Sequence, residues 1–223
     1  MTLILLAVSR KYSRYCVAGV DVKNGKMTRL ITTNSDAHYA VSEEELRYPD
    51  GKLACKLDKV EVEVTDRSVS YYQTENYVLK KGVRWQKLGM ASIQDVISIH
   101  PLNQPAIAFY DTKRKLHKDI FRTLEPRDIC SLMLIQPQNT VLLIQESFDR
   151  RQALFDFHYK GQHYEPFPIT DPDYCASIAD KATGSYPMDN DPILLLSVGE
   201  CFAQDQCHYK LAAGVFPCDP SSI

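Results

Sequence analysis

Glycine is scarce in this chain, at 9 of 223 residues, and no two glycines are adjacent. No phosphate-cradling glycine loop precedes a helix pattern, and no strand–turn–helix elbow presents a nucleophilic serine, so the common nucleotide-hydrolase and serine-esterase classes find no support. Close cysteine pairs are missing too. The seven cysteines are odd in number and scattered, which argues against a disulfide framework and for a reduced, cytoplasmic protein. Long hydrophobic runs are absent. Thr2 to Val8 is apolar but too short for a membrane span or a signal core, with no basic region before it and no small-residue cleavage site after it. It reads as a buried strand, and no membrane partner is expected. Low-complexity and collagen-like segments are lacking as well.

What is present is an ordinary globular composition, 44% hydrophobic and 24% charged. The length suits two small domains, each able to bury a core without covalent staples. The net charge of −2 conceals an uneven distribution. Residues 1–124 carry 20 Lys and Arg against 14 Asp and Glu, whereas residues 125–223 carry 6 against 14. The basic half suits a polyanion and the acidic half a basic protein; equally, two domains neutralise each other.

Strand patterns dominate. Tyr15–Val22 and Met27–Thr32 flank Asn24 and Gly25, which are expected to supply the positive φ angles of a tight hairpin. Val60, Val62 and Val64 alternate with Glu61, Glu63 and Thr65, a half-buried strand. Six further strands are expected after residue 125, over 131–135, 141–145, 153–159, 162–169, 193–198 and 208–216, with Lys160 and Gly161 as a two-residue turn. Their spacing argues for a barrel or sandwich. Ser42 caps one helical turn that carries Glu43, Glu44 and Glu45, read as structural. Ser92–Ile99 reads as a short helix, and Asp111–Leu124 as an amphipathic basic helix at a domain boundary. Leu3–Val20 and Leu194–Val215 share an apolar strand, a polar connection and a small-residue AGV strand, which suggests one barrel element used twice.

A cationic groove interleaved with aromatics is what single-stranded nucleic acid requires. Arg10, Lys11 and Arg14 alternate with Tyr12 and Tyr15, and Arg29 lies on the next strand. Lys81 and Arg84 flank Trp85, the sole tryptophan, with Lys80 and Lys87 beside them. The alternative for both groups is an ordinary solvated loop. Enzymatic readings are thinner. Cys201, Cys207, His208 and His163 lack the spacing of a zinc site. Asp171, Asp173, Asp189 and Asp191 suit Mg²⁺ or, equally, turns. Glu75 and Glu200 are the candidate general bases, though either suits a loop-tying role. No catalytic residue, metal or cofactor is assigned.

Certain short motifs carry a family resemblance. Cys16 to Asp21 with Gly25, Lys26 and Arg29, the middle stretch Tyr72–Asn76, and Phe157, Tyr159, Gly161, Tyr164, Thr170, Asp171, Pro172, Ser197, Gly199, Glu200, Lys210, Leu211 and Ala213 together resemble the bacterial dual OB-containing domain family. The middle motif usually reads Pro-His-Thr-Glu-Asp, and here Tyr72, Gln73 and Asn76 stand in three of its places. The resemblance implies a mostly β chain of two OB-like five-stranded barrels in tandem with a few short helices, a fold much used for single-stranded nucleic acid or nucleotides, in proteins suspected of serving antiviral (phage) defence.

The expected organisation is an N-terminal OB-like barrel over 1–124, with a basic surface and connecting basic helix, and an acidic OB-like barrel over 125–223. The expected function is a cytoplasmic accessory module binding nucleic acid or nucleotide through Arg10, Lys11, Tyr12, Arg14, Tyr15, Arg29, Gln73, Thr74, Glu75, Lys81, Arg84 and Trp85. The alternative is an adaptor docking a protein partner, such as a nuclease, helicase or kinase subunit, through Asp189 and Asp191 of the acidic barrel. A phosphoryl-transfer or hydrolytic enzyme using Glu75 or Glu200 is the weakest reading.

Overall fold

The computed structural model describes residues 1–11, 13–147 and 150–218. Tyr12, one of the expected ligand contacts, lies outside the described residues. The chain divides into two compact units, Met1–Pro101 and Leu102–Ile223.

The first unit begins with a meander of β1 (Thr2–Lys11), β2 (Arg14–Asp21) and β3 (Met27–Ile31). It continues with β4 (Asp58–Glu61), β5 (Val64–Arg67), β6 (Asn76–Leu79), β7 (Gln86–Met90) and the helix α1 (Ile93–Ile99). β3 pairs with β6 in parallel, β6 pairs with β5, and β4 pairs with β1. Only Val62 and Glu63 separate β4 from β5, so one bent stretch hydrogen-bonds β1 with its first half and β6 with its second. The ring β1-β2-β3-β6-β5/β4-β1 is thereby joined through the chain itself, while β5 pairs with β6 alone and remains an edge of the seven-stranded sheet. β7 adds to the outer side of β4. The alternation of Val60, Val62 and Val64 explains the bend's fit: Val60 and Val62 are 0% and 1% exposed and pack with Leu3, Leu5, Val17, Leu30 and Trp85.

Local signals mostly took the form expected. Ser92 and Asp95 make a reciprocal capping box ahead of α1. Ser42 and Glu45 do the same over a single turn. The β2–β3 connection differs from expectation, because Gly25 has φ +68 while Asn24 does not reach the left-handed region. Asp21 is the reason. Its backbone oxygen accepts from Gly25 N, and its carboxylate accepts from Lys23 N and Asn24 Nδ2, which builds a longer loop needing one positive φ. A side chain at Gly25 would also strike the Ile99 carbonyl, with a Cβ 2.2 Å from that oxygen.

The second unit comprises β8 (Lys115–His117), β9 (Leu132–Ile135), β10 (Gln138–Ser147), β11 (Arg150–Tyr159), β12 (Gln162–Pro168), α2 (Pro172–Ser177), β13 (Gly184–Pro187), β14 (Ile193–Phe202) and β15 (Cys207–Phe216). β10, β11 and β12 form a meander, β13 returns to β10, and β14 pairs with β15. A parallel bridge from Ile169 to Ala212 joins the end of β12 to β15. Its strand order therefore repeats the first: β10, β11 and β12 stand where β1, β2 and β3 stand, while β13, β14 and β15 take the places of β4, β5 and β6. The sequence echo between Leu3–Val20 and Leu194–Val215 links strands that are not equivalent, because the latter form the fourth-to-fifth position of the ring. At Gly19 the small residue answers close strand packing, since a Cβ there would lie 2.4 Å from Ile4 O.

Residues 102–124 do not belong with the first unit. β8 pairs with β15, and Lys210 N donates to Arg114 O. The expected amphipathic helix over 111–124 is replaced by this strand and a 3-10 turn at Lys118–Arg122. Leu116 and Phe121 are buried as the apolar spacing requires, but strand pairing sets the backbone. Three of its five cations are paired nearby: Lys113 with Glu165, Lys115 with Asp205 and Arg122 with Asp119. The Lys115–Asp205 hydrogen bond holds the amine above its ordinary value and the carboxyl below its own.

Motif residues of the second unit are scaffolding. Phe155, Phe157, Tyr159, Tyr164 and Phe167 are buried in contact, with Phe157 stacked on Tyr164 at 5.3 Å, so the aromatic row is core and not a base platform. Tyr159 OH donates to Pro105 O, and Tyr164 OH accepts from Ala108 N. Asp171 is fully buried. It caps α2 through Asp173 N and Tyr174 N, and its other oxygen accepts from Val215 N, which rules it out as a metal ligand. Lys160 and Gly161 both have positive φ, as a two-residue turn demands.

His208 is fully buried, with Nδ1 2.8 Å from Gly199 O and its ring edge-on to Phe121. Burial pushes it below its ordinary 6.5 despite that hydrogen bond. Between the lowered value and 6.5 the unfolded chain binds a proton that the folded chain does not, so this contribution is present above pH 6.5 and is lost as pH falls. The urea midpoint of the wild type is expected to drop between about pH 7.5 and 5.5 by more than that of His208→Gln, and parallel drops would contradict the assignment.

Candidate ligand-binding cleft

One end of the first unit holds a cleft of about 640 Å³. Arg14 enters it from the start of β2, Thr32, Thr33 and Asn34 follow β3, and Lys81, Gly82 and Arg84 follow β6. Parallel pairing of β3 with β6 puts their two exits side by side. The turn after Val41 supplies Ser42, Glu44 and Glu45, brought in by the bridge between Tyr15 and Val41. Residues separated by up to 70 positions thus meet because β2, β3 and β6 are neighbours in the sheet.

Most polar groups of the cleft have structural duties. Thr32 Oγ1 donates to Ala40 O, Asn34 Oδ1 accepts from Ala37 N, and Ser42 pairs with Glu45. Arg14, Thr33, Glu44, Lys81 and Arg84 have no side-chain hydrogen bond or ion pair among the described residues. That separates their cations from neighbouring ones: Lys80 pairs with Glu63 at 2.7 Å and Lys87 pairs with Asp58. Three guanidinium or ammonium groups, one hydroxyl and one carboxylate are left to face solvent together. Such an inventory suits an anion carrying its own hydrogen-bond donors.

Of the residues expected to contact a ligand, the structure brings together Arg14, Lys81 and Arg84. Arg10 is exposed on β1 opposite Tyr15, and Lys11 pairs with Arg14 across the hairpin. Tyr15 packs against the core. Arg29 does not project as expected: it is 7% exposed, its N–H donates to Glu75 O, and the strand and loop at Glu75–Asn76 cover it. Trp85 is 2% exposed and belongs to the core. Gln73, Thr74 and Glu75 precede β6 while Lys81 follows it, so roughly 20 Å of extended chain separates them. Gln73 closes a turn with Ser70, Thr74 O accepts from Arg67, and Glu75 is 9% exposed. In the second unit Asp189 is exposed, but Asp191 accepts from Asn139 N and Thr140 N and so secures the start of β10.

Thr33 and Glu44 escaped sequence reading. A signal for Glu44 existed: Glu43 pairs with Arg47 four residues on and Glu45 completes the capping box with Ser42, which leaves Glu44 as the acid without a local task.

All seven cysteines are free thiols, and no group of three or more His, Cys, Asp or Glu suited to a metal ion occurs among the described residues. No helix among the described residues is long and apolar enough to cross a membrane. No curated protein and no solved structure matches the chain. A family model does match, over residues 1–215, and its two-barrel description agrees with the repeated ring of strands; the chain belongs to the dual OB-containing domain family.

Proposed function

We propose that the protein is an accessory module whose first barrel binds a nucleotide or single-stranded nucleic acid in this cleft, with phosphate held by Arg14, Lys81 and Arg84. The observation that supports the reading is the convergence of these three cations, from two distant segments, with no carboxylate partner among the described residues. Cations are normally either dispersed or paired, and three unpaired ones in a concave site outweigh the carboxylates of Glu44 and Glu45 that share it and attract an anion. In a cytoplasmic antiviral system such a module would serve beside a nuclease, helicase or kinase subunit.

Fluorescence anisotropy with a labelled oligothymidylate tests it. Three phosphate contacts to a single strand predict a salt slope near −2, or about a 20-fold loss of affinity between 50 and 200 mM salt. The triple variant Arg14→Ala, Lys81→Ala, Arg84→Ala is expected to abolish that slope and most of the binding. Lys113→Ala with Lys115→Ala, whose cations are paired with Glu165 and Asp205, is expected to change neither. Equal affinity in the triple variant would overturn the reading.

A further inference from the structure

The cleft contains a carboxylate as well as cations, and this asks something specific of a ligand. Glu44 is exposed on the Ser42–Leu46 turn and lines the cleft with Arg14, Lys81 and Arg84. Its neighbours Glu43 and Glu45 are engaged by Arg47 and Ser42, whereas Glu44 has no partner among the described residues. The turn that carries it is fixed at both ends, by the Ser42–Glu45 capping box and by the Val41–Tyr15 bridge. The position of Glu44 is therefore set by the fold, not left to a wandering loop. An anionic ligand drawn in by three cations meets a negative group there unless it brings hydrogen-bond donors to that place.

An ionised carboxylate only accepts, through two oxygens side by side. Among nucleobases, the Watson–Crick edge of guanine presents two adjacent donors, N1–H and the N2 amino group, which match those oxygens. Adenine sets the N1 lone pair beside its amino group, cytosine the N3 lone pair, and uracil offers a lone N3–H between two carbonyls. Each of these points at least one acceptor lone pair at a carboxylate oxygen. Resting on the nucleotide reading above, we infer that Glu44 reads a guanine base, so that the cleft selects guanine nucleotides, with phosphate on Arg14, Lys81 and Arg84 and the Thr33 hydroxyl available to the sugar.

Titration calorimetry of the full chain with GDP, ADP, CDP and UDP tests the assignment. GDP is expected to bind roughly 10- to 100-fold more tightly than the other three, the range for one good bidentate base contact. Glu44→Gln and Glu44→Ala should bring GDP down to the level of ADP while ADP itself changes by less than about threefold, with circular dichroism confirming the fold. Equal affinity for the four diphosphates in the wild type, or a guanine preference that survives in both Glu44 variants, overturns the inference. Binding of oligothymidylate with none of the four diphosphates also overturns it, while the phosphate-cleft reading stands. Loss of the reading itself has a different signature: the Arg14, Lys81 and Arg84 triple variant would then bind oligothymidylate and GDP as tightly as the wild type.

Discussion

Lys210→Ala is expected to destabilise the second barrel by about 2–5 kcal/mol, because it empties the space of a fully buried side chain and takes the donor from the Ala108 and Asp111 carbonyls. Lys210 is fully buried on β15, with Nζ 2.7 Å from Asp111 Oδ1, 2.6 Å from Asp111 O and 3.4 Å from Ala108 O. Those carbonyls bracket Phe109 and Tyr110, which hold φ of 51 and 73. Left-handed backbone at two bulky residues costs about 1–2 kcal/mol each and persists only where neighbours enforce it. The ammonium, bonded to carbonyls on both sides of this pair, is one such neighbour, beside the Tyr164 hydroxyl on Ala108 N. Lys210→Met, which keeps the volume and loses the donors, is expected to cost about 2–3 kcal/mol. Burial holds the amine below its ordinary 10.5 against the opposing pull of Asp111. In the window between that lowered value and 10.5 the unfolded chain binds more protons, so this residue's contribution grows as pH rises there. Urea unfolding of wild type and Lys210→Met across alkaline pH checks both points; identical midpoints would remove Lys210 from this role.

Trp85→Ala is expected to cost the first barrel about 3–5 kcal/mol, as for other aromatic truncations in a packed core. Trp85 is 2% exposed and packs with Leu3, Leu5 and Val60 on the paired strands β1 and β4, and with Val62 in the link that follows. Trp85→Phe should fold with a smaller loss and bind oligothymidylate with unchanged affinity, since the indole does not face the cleft. Thermal melting and anisotropy separate these effects; weaker binding by a folded Trp85→Phe would return Trp85 to the ligand surface.

These two residues also mark what could be read from the chain. Trp85 sits among Lys80, Lys81, Arg84 and Lys87, and composition alone makes that segment look like a stacking platform. The strand pairing at β7 turns the ring inward instead and leaves Lys81 and Arg84 outside. Periodic and local features were legible: the valine alternation through β4 and β5, the capping box at Ser92, the Lys160–Gly161 turn and most strands of the second barrel. The stretch 111–124 was not, because Leu116, Ile120, Phe121 and Leu124 satisfy helical spacing while β15 offers a free edge that decides the matter. The cleft was half legible for a related reason. Cationic residues announce themselves, but which of them keep company depends on the parallel pairing of β3 with β6 and on the Tyr15–Val41 bridge, contacts between residues far apart in sequence.

The ring of strands in the first unit bears on the order in which the chain acquires structure. β1 cannot be fully paired until β4 exists, some 57 residues later, and the ring is not complete until β6 ends at Leu79. Pairings of such long sequence separation fold slowly, on the millisecond-to-second scale of all-β domains. Every strand of that ring nevertheless precedes Pro101, so synthesis of the second unit begins after the first has all it needs. At about 5–20 residues per second, translating the 91 residues between Pro101 and Ile193 gives the first barrel several seconds before that strand is made. Its apolar strand Leu3–Ala7 is thereby covered before the similarly apolar Ile193–Val198 emerges, and the repetition of one strand order in tandem does not become an opportunity for the two halves to exchange partners.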